Sequence, residues 1–358
     1  MSGIAVSVVV AVFERREKTL ACIRSLLAQT LVDSEIIVVD DGSADGTPDA
    51  IEALAGPAPR IPVRVLRNGV NRGANASRNR GTEAARARIV AYLDSDCVAE
   101  PDWLERLVEP FADPAVGAVS GLVDDTCRAN AWELAFAGTH RLPRRGPSSR
   151  ITSCNLAVRR ELVAGGRWDP TRPTRLEPGG TRPDTAISAR CDEEGLSHGL
   201  RAAGWITFNE PSARVRHDHP YTRRSLVRQA WFGGASVAEI VWKYRLPPRR
   251  DLGPIVAAYA SLVAAAALAI ATGHAAWWLV PLGLATLSIA AIAWNELANK
   301  GKTVGELLRA APALAVYYHV RLAGYLTRRV GLAFGVRPPV RVDRAGLAAS
   351  FPRPRGAA

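Results

Sequence analysis

Ile89-Val90-Ala91-Tyr92-Leu93-Asp94-Ser95-Asp96 is the stretch on which the reading of this chain turns. An apolar, β-forming run passes directly into two carboxylates one residue apart. A short run of this kind predicts a buried strand. Side chains alternate along a strand, so Asp94 and Asp96 share a face if the extension continues. At a strand end of an open α/β sheet, both stand in the ligand crevice. Two carboxylates there repel each other unless a cation lies between them. A hard divalent ion that also takes phosphate oxygens meets that need. Taken alone, the motif suits a solvated strand end equally well, and the flanking chain has to decide.

Upstream, Val6 to Val12 is a β-rich apolar run closed by Phe13-Glu14-Arg15-Arg16. Thr19 to Ala28 has helical apolar spacing at Leu20, Ile23, Leu26 and Leu27. Glu35 to Val39 reads as a second buried strand, closed by Asp40-Asp41-Gly42-Ser43. Thr47 followed by Pro48 predicts a helix start capped by the threonine. Val63 to Leu66 is a third strand, and Asn71 to Asn79 is a polar loop entering a helix that runs to Ala87. Strands alternating with helices predict βαβ units and a mostly parallel, doubly wound α/β sheet. Strand ends of such a sheet line one edge, so Glu14, Asp40, Asp41, Asp94 and Asp96 are expected there together.

Downstream, Pro101 opens a helix through Phe111, and Val116 to Val123 predicts a further strand. Ser153 to Val158 is a small-residue approach to a strand, a place for Asn155 to meet substrate. Trp168 to Arg190 is rich in Pro, Gly, Thr and Arg and reads as a mobile loop. Asp192-Glu193-Glu194 leads an amphipathic helix through Ala203, with Gly204 as its C-cap. Trp205 to Phe208 is a short strand, followed by Val215-Arg216-His217-Asp218-His219.

Leu252 to Asn295 contains no Asp, Glu, Lys or Arg. It divides at Gly273-His274 into two apolar pieces, each about 20 residues and so long enough to cross a bilayer core. Trp277, Trp278 and Trp294 sit near the ends, as interfacial aromatics do. Arg245, Arg249, Arg250, Lys300, Lys302 and Arg309 flank the outer ends, which places those ends and the catalytic domain in the cytoplasm. The expected organisation is a catalytic domain over 1–235 and a membrane region over 236–336. That region holds spans at 253–273 and 276–295 and an interfacial helix at 305–333. The Pro- and Arg-bearing tail over 337–358 is expected to be disordered.

The 358 residues carry a formal charge of +12, which suits nucleic acid, an anionic membrane or phosphorylated substrates. No compact Lys/Arg run or RNA-binding signature is present, which sets nucleic acid aside. The five cysteines are odd in number and none stands in C-x-x-C spacing, so reduced thiols without a disulfide framework or zinc site are expected. The N-terminus leads directly into the first strand rather than a signal peptide.

Val6-Ser7-Val8-Val9-Val10, Ile37-Val38-Val39-Asp40-Asp41-Gly42-Ser43, Asn71-Arg72-Gly73 and Asp94-Ser95-Asp96, in that order, resemble the family 2 glycosyltransferases. The resemblance covers about residues 4 to 235 and extends to membrane-associated actinobacterial members through Asp192 to Trp205 and Asn209 to His219. It implies the GT-A fold and inverting transfer of a sugar from a nucleotide-sugar donor. Asp40 and Asp41 would meet base and ribose, Glu14 would shape the nucleotide pocket, and Arg72 and Arg78 would meet the diphosphate. Asp94 and Asp96 would hold Mg²⁺ or Mn²⁺, with His217 approaching the metal. The family's base is the second residue of a Glu-Asp pair. Counting back from Leu196, that position is Glu193, with Asp192 before it, so the pair is inverted and either residue could serve. Asp184 is a third candidate. Gln229 and Trp231 lie where the family's acceptor-side element lies, and the membrane hairpin suits a lipid-linked or amphiphilic acceptor. Two rival readings are a nucleotidyltransferase, which normally carries a glycine-rich phosphate loop missing from Phe13-Glu14-Arg15-Arg16, and a degenerate membrane-bound scaffold that binds nucleotide sugar without transfer.

Overall fold

The computed structural model describes residues 4–139, 144–165, 168, 192–243, 253–335 and 350–354. Asp184, Cys191, Arg245, Arg249 and Arg250 lie outside the described residues, as does the side chain of Asp192. The chain forms two units. The first holds Met1–Cys127, His140–Pro220 and Val342–Ala358; the second holds Arg128–Thr139 and Tyr221–Arg341.

The first unit opens with β1 (Val6–Val12), α1 (Arg16–Leu27), β2 (Ser34–Asp40), α2 (Thr47–Ala55), β3 (Val63–Arg67), α3 (Ala74–Ala84) and β4 (Ile89–Leu93). The four strands pair in parallel in the order β3-β2-β1-β4, as their alternation with helices requires. Alternation sorts their side chains into two cores. Val8, Val10, Val12, Ile36 and Val38 pack on one face with Ile23 and Leu26 of α1. Val9, Ile37, Val39, Val90 and Tyr92 pack on the other. A methyl at Gly81 of α3 would run into Val9 and Val39, so this glycine lets α3 lie close on the sheet. Helix α2 departs from the expected cap: Asp45 Oδ1 accepts from the Thr47 backbone N–H at 3.1 Å and from the Thr47 hydroxyl at 2.5 Å.

Past β4 the sheet becomes mixed. Here stand β5 (Cys97–Ala99), α4 (Trp103–Val108) and β6 (Val116–Asp125), while α5 (Ala131–Phe136) belongs to the second unit. The rest of the first unit is β7 (Gly146–Pro147), β8 (Asn155–Arg159), α6 (Arg160–Val163), α7 (Asp192–Ala202) and β9 (Ile206–His217). Strand β8 runs antiparallel between β4 and β6, and β9 pairs in parallel with β6 and antiparallel with β5 and β7. The parallel, doubly wound pattern therefore describes β1 to β4, and a mixed half completes the sheet. Strand β9 runs on to His217, where only a short strand over Trp205 to Phe208 was expected. Its register against β6 slips between Gly121 and Leu122, and the slip absorbs Pro211, Ser212 and Ala213 as a bulge.

The second unit adds α8 (Arg223–Lys243), α9 (Gly253–Thr272), α10 (Leu279–Trp294) and α11 (Val304–Ala333) to α5. Helices α5, α8 and α11 share an apolar core that includes Leu134, Leu226, Val237, Leu314 and Tyr318. Thr303 and Glu306 form a reciprocal capping box at the start of α11. Among the described residues, the helical stretch Leu279–Asn299 is long and apolar enough to cross a membrane, and the described apolar part of α9, Ala260–Thr272, is shorter. Ile270, Leu287, Ile289 and Trp294 are exposed on these helices. The expectation of a disordered tail fails at 350–354, where Phe351 is buried in the first unit with Trp205 and Leu200.

Candidate active site

Asp96 is the centre of the site. It follows β4 by one turn and lies 7% exposed. Arg15 Nη1 donates to its Oδ2 at 2.6 Å, His219 Nδ1 lies 3.2 Å from the same oxygen, and His217 Nε2 lies 3.6 Å from Oδ1. Burial by itself would raise the Asp96 pKa. The hydrogen bond from His219 and the charges of His217 and Arg15 outweigh it and hold the carboxyl well below its ordinary range. Asp96 is therefore an anion at neutral pH.

His217 ends β9, and its strand partner across β6 is Asp125. The two side chains meet at 2.9 Å between Nδ1 and Oδ1. That bond directs the other ring nitrogen to Asp96, in the arrangement by which outer carboxylates orient metal-binding imidazoles. Burial would lower the His217 pKa, but Asp125, Asp96 and Asp94 together raise it. The His217 and His219 rings stack, with centroids 5.5 Å apart.

Arg15 reaches Asp96 through an unusual backbone. Glu14 and Arg15 both have positive φ, 57° and 62°, where neither residue type gains from a missing Cβ. Such conformations cost on the order of 1–3 kcal/mol each and persist where surrounding contacts fix them. Here the Glu14 N–H donates to Ser43 Oγ at 2.7 Å, and the Arg15–Asp96 pair holds the next residue.

Asp94 is more open, at 37% side-chain exposure, and accepts from Arg78 Nη2 at 2.8 Å. The Arg78 guanidinium also donates to Asn75 Oδ1 and lies 5.5 Å over the Trp168 ring. Asn79 fixes that Trp: its amide donates to the Trp168 carbonyl at 2.6 Å and accepts the Trp168 N–H at 3.1 Å. Burial opposes the Arg78 charge. Asp94, with a further contribution from Glu193, holds its pKa above the ordinary value. Glu193, half-buried in the first turn of α7, is thus brought within electrostatic reach of the Arg78–Asp94 pair.

Other expected residues have different surroundings. Asp41 is 3% exposed and its carboxylate accepts from Asn68, the Arg72 N–H, the Gly73 N–H and the Ser77 hydroxyl. Asp40 is equally buried, and accepts from the Gly42 and Ser43 N–H groups. Expected against base and ribose, both spend these hydrogen bonds on shaping the loops at the sheet edge. Arg72 is exposed on one of those loops, beside the close approach of Gly42 to Val70 and Asn71. Asn155 corrects the sequence reading. It is fully buried, its amide donates to the Leu122 and Ala213 carbonyls and accepts from Trp103 Nε1, and it serves as a peg inside the sheet. Gln229 and Trp231 lie on α8 of the second unit, half-buried and 37% exposed respectively.

The donor set suits a hard divalent ion. One ligand atom each from Asp96, Cys97 and His217 lies within 4.8 Å of the others. The buried Cys97 thiol, hydrogen-bonded with Cys154 and held well above its ordinary pKa, is a soft donor that suits a hard ion poorly. Carboxylate oxygen and imidazole nitrogen remain, with Asp94 nearby, which fits Mg²⁺ or Mn²⁺.

Sequence reasoning missed Arg15, Asp125, His219 as a partner of Asp96, and Trp168. Asp125 was within reach of the rule that found Asp94: it too is a carboxylate at a strand end, two residues beyond where the expected strand stopped.

A mixed α/β sheet with parallel β1 to β4 and an acidic, metal-compatible edge defines a GT-A glycosyltransferase fold. Residues 7–163, somewhat under half of the chain, match the family model for glycosyl transferase family 2. It is 44% identical over 104 residues to the succinoglycan biosynthesis protein ExoO of Rhizobium meliloti, covering 29% of each chain. It is 33% identical over 164 residues to the glycosyltransferase AglE of Haloferax volcanii, covering 44% of this chain and 53% of the other. Against the pre-mycofactocin glycosyltransferase of Mycobacterium tuberculosis it is 28% identical over 279 residues, covering 76% and 54%. The chain thus spans about half or less of these relatives' own lengths. The solved mannosyltransferase PcManGT of Pyrobaculum calidifontis, in complex with GDP-Man and Mn²⁺, shares the fold at a TM-score of 0.52 and 20% identity, covering 94% of this chain and 88% of that one.

Proposed function

We propose that this chain transfers a sugar, with inversion, from a nucleotide-sugar donor to an acceptor hydroxyl at the cytoplasmic face of a membrane. The observation that carries the proposal is the convergence of Asp94, Asp96 and His217 with Arg15 and Arg78 at one end of the sheet. A divalent ion held by Asp96 and His217, with Asp94 beside them, would supply Lewis-acid stabilisation to the leaving diphosphate. Arg78 and the exposed Arg72 present planar, permanently charged donors that suit phosphate oxygens. Arg15 is placed to do the same, because its guanidinium is half exposed while one nitrogen rests on Asp96.

Glu193 takes the part of the base, with Asp192 the alternative. The acceptor hydroxyl oxygen attacks the anomeric carbon while its proton passes to the carboxylate. The bond from that carbon to the diphosphate oxygen breaks, and its electron pair leaves with the nucleoside diphosphate. Attack opposite the leaving group inverts the anomeric centre. The membrane assignment rests on Leu279–Asn299 and on the outward apolar side chains of α9 and α10. It favours a lipid-linked or amphiphilic acceptor, for which Gln229 and Trp231 remain contacts to test.

The test is release of nucleoside diphosphate by membranes carrying this chain. The panel holds GDP-mannose and UDP-sugars, with Mn²⁺ and a lipid extract. Acceptor-dependent release from one donor is the expected result. Absence of both donor binding and release across the panel would refute the proposal.

A further inference from the structure

We infer that Ser350–Pro354 is a clip that positions α7. Its bearing on catalysis rests on the proposal that α7 carries the base. The first observation is a missing side chain. Gly199 lies on α7, and a methyl there would run into the Phe351 ring. That ring is 8% exposed and packs among Leu196, Leu200, Trp168 and Trp205. The second is a hydrogen bond: Trp205 Nε1 donates to the Pro352 carbonyl at 2.6 Å across 147 residues of sequence. The third lies just past the end of α7, where Gly204 holds φ at +93° and a methyl built there would come to 3.8 Å from Pro354 Cδ.

On α7 itself, the residues around Phe351 share one face. Glu193, Leu196 and Leu200 follow i, i+3, i+7 spacing, with Gly199 beside them. Glu193 stands six residues before Gly199, about 9 Å along the axis at 1.5 Å per residue. From the middle of α7, Ser197 Oγ also donates to the Ser149 carbonyl, at 3.0 Å. Phe351 therefore acts as a wedge on the helix bearing Glu193, seated where glycine leaves room. It is a positioning residue: removing it frees α7 to rotate or slide, and a displacement of about 1 Å at a reacting group can cost on the order of 100-fold in rate.

The test uses the full-length chain with Phe351→Ala, Gly199→Ala, the double variant and Phe351→Leu. Hydrogen exchange is read separately on α7 and on β1 to β4. In Phe351→Ala the amides of residues 192–202 should exchange about tenfold faster or more, with the parallel strands unchanged. Phe351→Leu, which keeps an apolar plug, should restore most of the protection. Once a donor is found, kcat should fall on the order of 10- to 100-fold with donor KM within about twofold. Adding Gly199→Ala to Phe351→Ala should cost little more, because both changes break one contact. Unchanged exchange in α7 would overturn the inference, as would equal loosening of β1 to β4. Loosened α7 in a chain with no transferase activity would keep the clip and refute the proposed function.

Discussion

Asp125→Ala separates an orienting carboxylate from a bystander. Asp125 and His217 are 8% and 6% exposed, and their side chains meet at 2.9 Å. Without Asp125 the imidazole Nδ1 loses its carboxylate, and a buried donor left without a partner costs about 1–3 kcal/mol. Loss of an outer partner typically weakens metal affinity about 10- to 100-fold, or about 1.4–2.7 kcal/mol. The expected result is an Mn²⁺ dissociation constant raised by that factor with a nucleoside diphosphate present, measured from the free-ion electron paramagnetic resonance signal. Asp124→Ala is the control: Asp124 adjoins Asp125 but pairs with the half-exposed Arg214, at 2.7 Å, so Mn²⁺ affinity should not change. If Asp125→Ala binds Mn²⁺ as tightly as the unaltered chain, the orienting role assigned to Asp125 is wrong.

Three further outcomes are expected. Glu193→Gln should keep nucleoside diphosphate affinity and lose about 10²–10⁴-fold in kcat, the usual contribution of a positioned base; the same split in Asp192→Asn instead would move the base by one residue. In the second unit, Glu296 accepts from Lys300 and Lys302, each at 2.6 Å, and from the Tyr318 hydroxyl at 2.9 Å. Glu296→Ala leaves the buried Lys302 charge uncompensated and should destabilise the unit by about 3–5 kcal/mol, read as a lowered melting temperature in detergent. Glu210, 2% exposed, has its pKa lowered from 4.5: burial would raise it, and Ser212 and Arg145 overcome that. A depressed carboxyl stabilises the fold above its unfolded pKa, so this contribution should be present above about pH 4.5 and fade as acid protonates the folded state. Glu210→Gln should flatten the acid limb of the stability curve.

What the sequence could show depended on how local the signal was. Strands β1 to β4 each advertise themselves by an apolar run and a polar close, and parallel pairing follows from the helices between them. Asp94 and Asp96 were legible for the same reason. The mixed half was not, because β8 enters between β4 and β6 from far along the chain and no local pattern marks its direction. Strand β9 read as a short piece over Trp205 to Phe208 because Pro211 interrupts its alternation; the ladder beyond the bulge carries it on to His217. Asp125 and His217 become neighbours only through the register of β6 on β9. Arg15 is aimed by two residues of left-handed backbone, in a sequence without the glycine that normally announces such a turn. Asn155 misled because small residues before a strand suit a substrate approach and a tightly packed sheet equally well. Phe351 sits in a Pro- and Arg-bearing tail, and only the space at Gly199 shows where its ring goes.

The most direct test of the central claim is anomalous diffraction at the manganese edge from crystals grown with Mn²⁺ and a nucleoside diphosphate. One strong peak should appear, bonded to Asp96 and His217, with the diphosphate against it and Arg78 within reach of a phosphate oxygen. Diphosphate bound elsewhere on the first unit, or bound here with no manganese at Asp96 and His217, would contradict the claim.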